Sequence, residues 1–277
     1  MIFRLALLAA AGVALSNGIA AELEKNSADK HARVSALRLS ILTRLVRDWP
    51  YLLGLLLDVI AWPLTLVAVH ELPLFVVQPI VAFSVVVTAL IDKFILRRAL
   101  SARSLVAMGI IFFGLIMLSL TAQPEKAQAV GQVAKWIIVF FPLLLALLAS
   151  ISIKTKVYSS AAVLAAISGL AFGGTAITGR MLIITHPYWQ VLYSPLLWSL
   201  FAYGLVGILT FTVALQRHHA SVINATMVAF ETLVPIAIGI ALLGDRPRQG
   251  QWGLVIAGVT LALAGTIMIS LRSSGEY

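Results

Sequence analysis

Long apolar runs occupy most of this 277-residue chain and restrict it to folds that can cross a membrane. Charged residues make up 11% of the chain, whereas soluble domains contain about 25%. A bilayer core about 30 Å thick needs about 20 apolar residues per helix. Because the runs are continuous rather than alternating, they predict helices and not barrel strands. The fold class predicted is an all-α polytopic membrane bundle of about nine transmembrane helices, at approximately 3–21, 50–70, 73–92, 104–121, 136–153, 159–184, 194–215, 220–243 and 252–271.

The basic residues predict the orientation of the bundle. Nine spans divide the loops and termini between two sides, and fourteen of the 20 Lys and Arg residues fall on one of them. The positive-inside rule makes that side cytoplasmic, with the N-terminus outside and the C-terminus inside, in the plasma (inner) membrane. The net charge of +9 then reflects orientation and contact with anionic lipids, and nucleic acid is not an expected partner. The chain has no cysteine, so disulfides and thiolate sites are excluded.

The first span has two interpretations. A retained helix is favoured over a cleaved signal peptide, because cleavage would export the basic segment 22–48 against the positive-inside rule. Within this segment, residues 33–47 are apolar but carry four arginines, and we expect them to lie along the cytoplasmic surface.

Two stretches of the chain resemble each other and predict an internal repeat. The first repeat covers 1–121 and the second covers 136–271, with 122–135 as a linker. Each contains a span, a tight polar turn, a span, a charged loop and a last span with a central glycine. Ala82-Phe83 aligns with Ala229-Phe230. The predicted topology places the two charged loops on opposite sides, so the copies are inverted, as in many secondary transporters.

Several short motifs, in this order, resemble those of the drug/metabolite transporter superfamily. They are Trp49 with Leu53-Gly54, Val77-Gln78-Pro79 after Pro73, Gly244-Asp245 in LLGDRP where the family usually has Gly-Glu, Gln251-Trp252-Gly253, and the glycines Gly258 and Gly265. The chain is most similar to the EamA-like, nine-span branch that includes NIPA-type magnesium transporters. The resemblance implies a transport fold but does not specify the cargo. The chain departs from the family pattern at Arg97-Arg98, where the first repeat would normally carry an acid, and at 33–47, which would correspond to the second helix of a five-helix repeat.

Two carboxylates near the middle of spans are the leading candidates for a functional site. Asp58 and Glu231 would each cost about 2.5–3.5 kcal/mol at mid-bilayer, so such residues usually face the bundle interior or a wet cavity. Either acid could bind a coupling proton or a cation, or be a structural partner for another polar group. Glu231 precedes Pro235 by four residues, and a proline frees a helix carbonyl at that spacing.

Further polar and small residues lie within the spans. Candidates for solute contact, each with helix-to-helix hydrogen bonding as the alternative, are Gln78 beside Pro79, Asn17, Asn224 and Thr175. Gly169, Gly173 and Gly174 have the spacing typical of close helix packing.

The remaining ionisable candidates lie near span ends. Arg180 is expected to snorkel to the interface or to pair with Glu231. His70-Glu71 and His218-His219 occupy equivalent turns in the two repeats, where they could handle protons or metals or be ordinary loop residues.

Together these features favour a secondary transporter of a small solute by alternating access, coupled to protons or cations. Its cargo would be a divalent cation such as magnesium, by the branch resemblance, or a small metabolite. The alternative is a non-transporting membrane scaffold or a lipid-handling protein. No motif supports catalysis, so neither an enzyme nor a cofactor is predicted, and the metal and the oligomeric state are left open. Membrane lipids and a solute are the expected partners.

Overall fold

The computed structural model describes residues 2–31, 48–94, 102–121, 128–154, 159–182, 188–215 and 220–272. These residues are almost entirely helical and include no strand, which confirms the all-α class. The α-helices are α1 (Ile2–His31), α2 (Trp49–Glu71), α3 (Leu74–Ala82), α4 (Ser84–Phe94), α5 (Ala102–Thr121), α6 (Gln132–Lys154), α7 (Ser159–Met181), α8 (Pro195–Leu215), α9 (Ala220–Leu242) and α10 (Trp252–Arg272), and a 3-10 helix covers Tyr188–Tyr193. The surface-lying helix predicted at 33–47 falls outside the described residues.

The lengths and compositions of these helices are those of an integral membrane protein. Four helical segments within α2, α6, α7 and α8 are long and apolar enough to cross a bilayer. Five shorter apolar helical segments, of 10–17 residues, lie at the other predicted positions: Leu5–Ala20, Leu74–Thr88 (which spans the turn at Phe83), Leu105–Thr121, Thr226–Leu242 and Trp252–Met268. The predicted count of nine spans stays a prediction.

Helix boundaries follow local chemistry. Pro50 occupies the first turn of α2, where its missing N–H removes no intrahelical bond. Pro73 precedes α3 in the same way. At Phe83 the predicted span 73–92 is interrupted by a turn, and the Phe83 N–H donates to the carbonyls of both Pro79 and Ile80, each at 3.1 Å. One apolar segment therefore folds as the two helices α3 and α4.

Helix α7 lies at the centre of the bundle and α6 at its edge. The crossing segment of α7 is 67% buried within the protein, whereas that of α6 is 22% buried. Most of the α6 surface is therefore apolar side chains available to lipid. Helix α8 is hydrogen-bonded to α6, because the Tyr203 hydroxyl donates to the carbonyl of Ile138 at 2.9 Å.

Glycines allow the closest helix approaches. Gly169 and Gly173 of α7 pack against α9, and Gly174 packs against the Tyr203 ring of α8. On the other side of the molecule, α5 and α10 pack antiparallel, because Gly114 meets the Gly258 carbonyl while Gly265 meets that of Ala107. A methyl group at any of these glycines would lie within 3 Å of a neighbouring atom.

Candidate functional site

Glu231 lies on the face of α9 that packs against α7. Met227, Glu231 and Pro235 occupy this face at intervals of one turn, and all three lie next to Gly169 or Gly173. Leu233 and Ala237, on other faces of α9, are exposed. Glu231 therefore belongs to the interior side of its helix, where it is partly buried.

The Glu231 carboxylate has unused hydrogen-bonding capacity. Within the described part of the chain, no side chain or backbone group forms a hydrogen bond or ion pair with it. Buried carboxylates are normally paired or hydrogen-bonded, because an isolated charge in an apolar medium is strongly unfavourable. An acid without such a partner is suited to holding a proton or a cation.

A backbone acceptor is also available close to this carboxylate. Pro235 lies inside α9 and has no N–H, so the Glu231 carbonyl loses its usual donor four residues ahead. Gly173 leaves that carbonyl accessible from α7, since a Cβ at Gly173 would lie 3.4 Å from the oxygen. The arrangement offers a carboxylate and a free carbonyl on one turn of helix.

Gln78 and Pro79 are a second pair of candidate residues, within α3. Gln78 is buried, and its amide makes no hydrogen bond to the described residues. Helix α3 packs against α9, the helix that carries Glu231, because Phe75 and Val76 of α3 pack with Ile236 of α9. Gln78 is therefore on the helix that crosses α9 beside Pro235.

The structure says less about the other candidate polar residues, which bond within their own helix, make no hydrogen bond to described residues or have side chains outside the described residues. The Thr175 hydroxyl donates to the Phe172 carbonyl of its own helix at 2.6 Å. Asn17 is partly buried in α1 and is not hydrogen-bonded to described residues. The side chains of Asp58 and Asn224 lie outside the described part of the structure, although their backbones belong to α2 and α9. His218-His219 also lie outside it, and the role expected for Asp58 in binding a proton or a cation stays a prediction.

Arg180 is the largest departure from the sequence expectations. Its side chain is fully buried, so it does not snorkel to the interface. It pairs with Asp245 rather than Glu231: its Nη2 donates to Asp245 Oδ1. Its Nη1 donates to the carbonyls of Val69 at 2.7 Å and Leu72 at 2.6 Å. Both expectations for Arg180 were wrong.

Asp245 completes what we term the Arg180–Asp245 cluster: these two side chains, the Val69 and Leu72 carbonyls and the Leu74 N–H. Asp245 Oδ2 accepts the Leu74 N–H at 2.7 Å, at the first residue of α3. An acidic side chain there complements the positive end of the helix. The cluster joins α7, the turn between α2 and α3, and the connection after α9.

Two glycines make room for Asp245. Gly244 has φ +77°, a left-handed conformation that favours glycine, and it turns the chain back at the end of α9. The Asp245 N–H then donates to the Gly239 carbonyl at 2.9 Å. Gly239 has no side chain, and the Asp245 carboxylate occupies the space that a Cβ would need.

Neither a metal site nor a similar protein identifies the function of this chain. Among the described residues, no group of three or more His, Asp or Glu side chains could hold a metal ion. No protein-family model, curated protein or solved structure matches the chain.

Proposed function

We propose that the chain is a secondary transporter that moves a small solute by alternating access, with Glu231 binding the coupling proton or the cationic group of the cargo. The observation that carries this proposal is the carboxylate on the interior face of α9, which has no partner among the described residues and lies beside the carbonyl freed by Pro235. Ionisable groups within membrane helices commonly mark such pathways. The buried Gln78, beside Pro79 within α3, adds a second polar point on the adjacent helix.

Helix packing supports an inverted repeat within this proposal. Under the alignment of Ala82-Phe83 with Ala229-Phe230, Ser84 corresponds to Glu231. Gly18 of α1 packs against the Ser84 carbonyl of α4, as Gly173 of α7 approaches the Glu231 carbonyl of α9. Helix α1 also packs extensively on α2, as α7 does on α8.

This correspondence suggests how the repeats are arranged. It equates α1, α2, α3–α4 and α5 with α7, α8, α9 and α10, and it leaves α6 between them. The antiparallel contact of α5 with α10 is what an inverted pair of last helices would make. We therefore assign the chain to a drug/metabolite-transporter-like architecture, with the second repeat beginning at α7 rather than α6.

Transport in reconstituted vesicles tests the proposal. Purified protein is assayed with Mg²⁺ and with panels of amines and amino acids, with and without an imposed pH gradient. Glu231→Gln should lower net transport at least about tenfold, because the neutral amide cannot exchange a proton or balance a cation. Asp48→Asn is the matched control, since Asp48 is a partly buried acid that precedes α2 and lies outside the predicted spans.

Solute exchange separates the two roles of Glu231. If the acid carries the coupling proton, Glu231→Gln should lose net transport but keep exchange of labelled for unlabelled solute. If it binds the cargo, both activities should be lost. Wild-type net transport by a well-folded Glu231→Gln protein would refute the proposal.

A further inference from the structure

We propose that the Arg180–Asp245 cluster is a gate that closes one end of the bundle and opens during the transport cycle. This inference rests on the transport function proposed above. It concerns a part of the molecule separate from Glu231, and it assigns to the buried ion pair a role in deciding from which side the Glu231 site is reached.

The cluster connects elements of both proposed repeats. Asp245 bonds α3 at the Leu74 N–H, and Arg180 of α7 bonds the Val69 and Leu72 carbonyls at the end of α2. The first repeat contributes backbone groups and the second contributes both charged side chains. Separation of the repeats at this end would require all of these bonds to break together.

The cluster lies further along α9 than Glu231, towards the C-terminal end of that helix, and next to the start of α3. Gly239, which contacts the Asp245 carboxylate, is eight residues after Glu231, or about 12 Å along α9. Gln78 is four residues, about 6 Å, into α3 from Leu74. The cluster therefore lies between the candidate site and one membrane surface, the outer surface in the predicted orientation.

Energetics favour a switching role over a purely stabilising one. Both charged side chains are fully buried. A buried ion pair is often no more stabilising than apolar residues of similar size, and its best-attested use is in specifying one arrangement over another. Here the pair favours the closed arrangement, and its loss leaves a buried charge that favours hydration and opening.

Cysteine labelling tests the gate without any transport assay. The chain has no native cysteine, so Val81→Cys and Ile238→Cys, at two partly buried core positions, are single reporters. A membrane-impermeant maleimide is applied to sealed vesicles from each side separately. Asp245→Asn or Arg180→Gln should raise the labelling rate from the Arg180–Asp245 side about tenfold. The labelling rate is proportional to the fraction of molecules open at that end, and loss of the ion pair should raise this fraction about tenfold.

Control variants separate gating from misfolding. Gly239→Ala keeps both charges but displaces the Asp245 carboxylate, and it should also accelerate labelling; Gly253→Ala, in an open position, should not. Arg248→Gln, at an exposed residue outside the cluster, and Asp48→Asn, at the start of α2, should leave labelling unchanged. Unchanged labelling in a monodisperse Gly239→Ala or Asp245→Asn protein, or faster labelling only from the opposite side, would overturn the gate. Faster labelling from the expected side without transport of any solute would support the gate and count against the transport function.

Discussion

Asp245 uses its two carboxylate oxygens for different elements: one accepts from Arg180 of α7 and the other from the backbone of α3. Neither contact is between neighbours in sequence, and neither side chain is accessible to solvent. Asp245 therefore links α7 to α3, and its replacement should destabilise the protein more than replacement of a surface acid.

A double-mutant cycle should reveal this role. Asp245→Leu alone should destabilise the protein by about 3–5 kcal/mol, because it leaves the Arg180 charge buried without its carboxylate. Arg180→Met combined with Asp245→Leu should recover most of that loss, since it removes both charges. Thermal unfolding of the detergent-solubilised proteins measures both effects. A double variant as unstable as Asp245→Leu alone would show that other contacts of Asp245 dominate.

The ion pair illustrates what the sequence could not reveal about the site. Arg180 and Asp245 are 65 residues apart, and only the joint packing of α7, α9 and α3 brings them together. Each residue had a visible signal, an arginine one turn inside a span end and an acid after Gly244, but neither signal named a partner. Glu231 was identifiable by itself, because a mid-span acid four residues before a proline needs no tertiary information.

At the scale of the element, α7 depends on small residues where it meets α9. Gly173→Ala would bring a methyl group to 2.7 Å from Pro235 Cγ, and the rigid ring cannot move aside. We expect overpacking to destabilise the protein by about 1–3 kcal/mol. Gly204→Ala in α8 meets nothing within 4 Å and should be neutral or stabilising by up to about 1 kcal/mol. Melting temperatures of the two variants in detergent test the contrast, and equal effects would contradict it.

Hydropathy located the helices but not their interruptions or extensions. The predicted spans coincide with apolar helices because apolar length governs both. Helix α1 nevertheless continues to His31, ten residues beyond the predicted span, since helix formation does not require apolar side chains. The turn at Phe83 lies in a continuous apolar run, and periodicity carries no signal for it.

At the scale of the whole molecule, an odd number of crossings would place the two termini on opposite sides of the membrane. We expect an N-terminal epitope to be accessible outside intact cells, and a C-terminal fluorescent fusion to fold in the cytoplasm. Protease added to inside-out vesicles should remove the fusion at the C-terminus and leave the N-terminal epitope intact. Detection of both termini on one side would refute nine crossings, while leaving the helical assignments intact.

The peripheral position of α6 has a consequence for the ancestry of such a chain. Tandem duplication of a four-crossing unit yields two copies that enter the bilayer in the same direction, because an even number of crossings restores the starting side. One additional crossing between them reverses everything downstream. A helix that is mostly lipid-facing can supply that reversal without repacking the interior. Under the proposed arrangement of nine crossings, excision of α6 would therefore reorient the last four helices while removing little of the protein's buried contact.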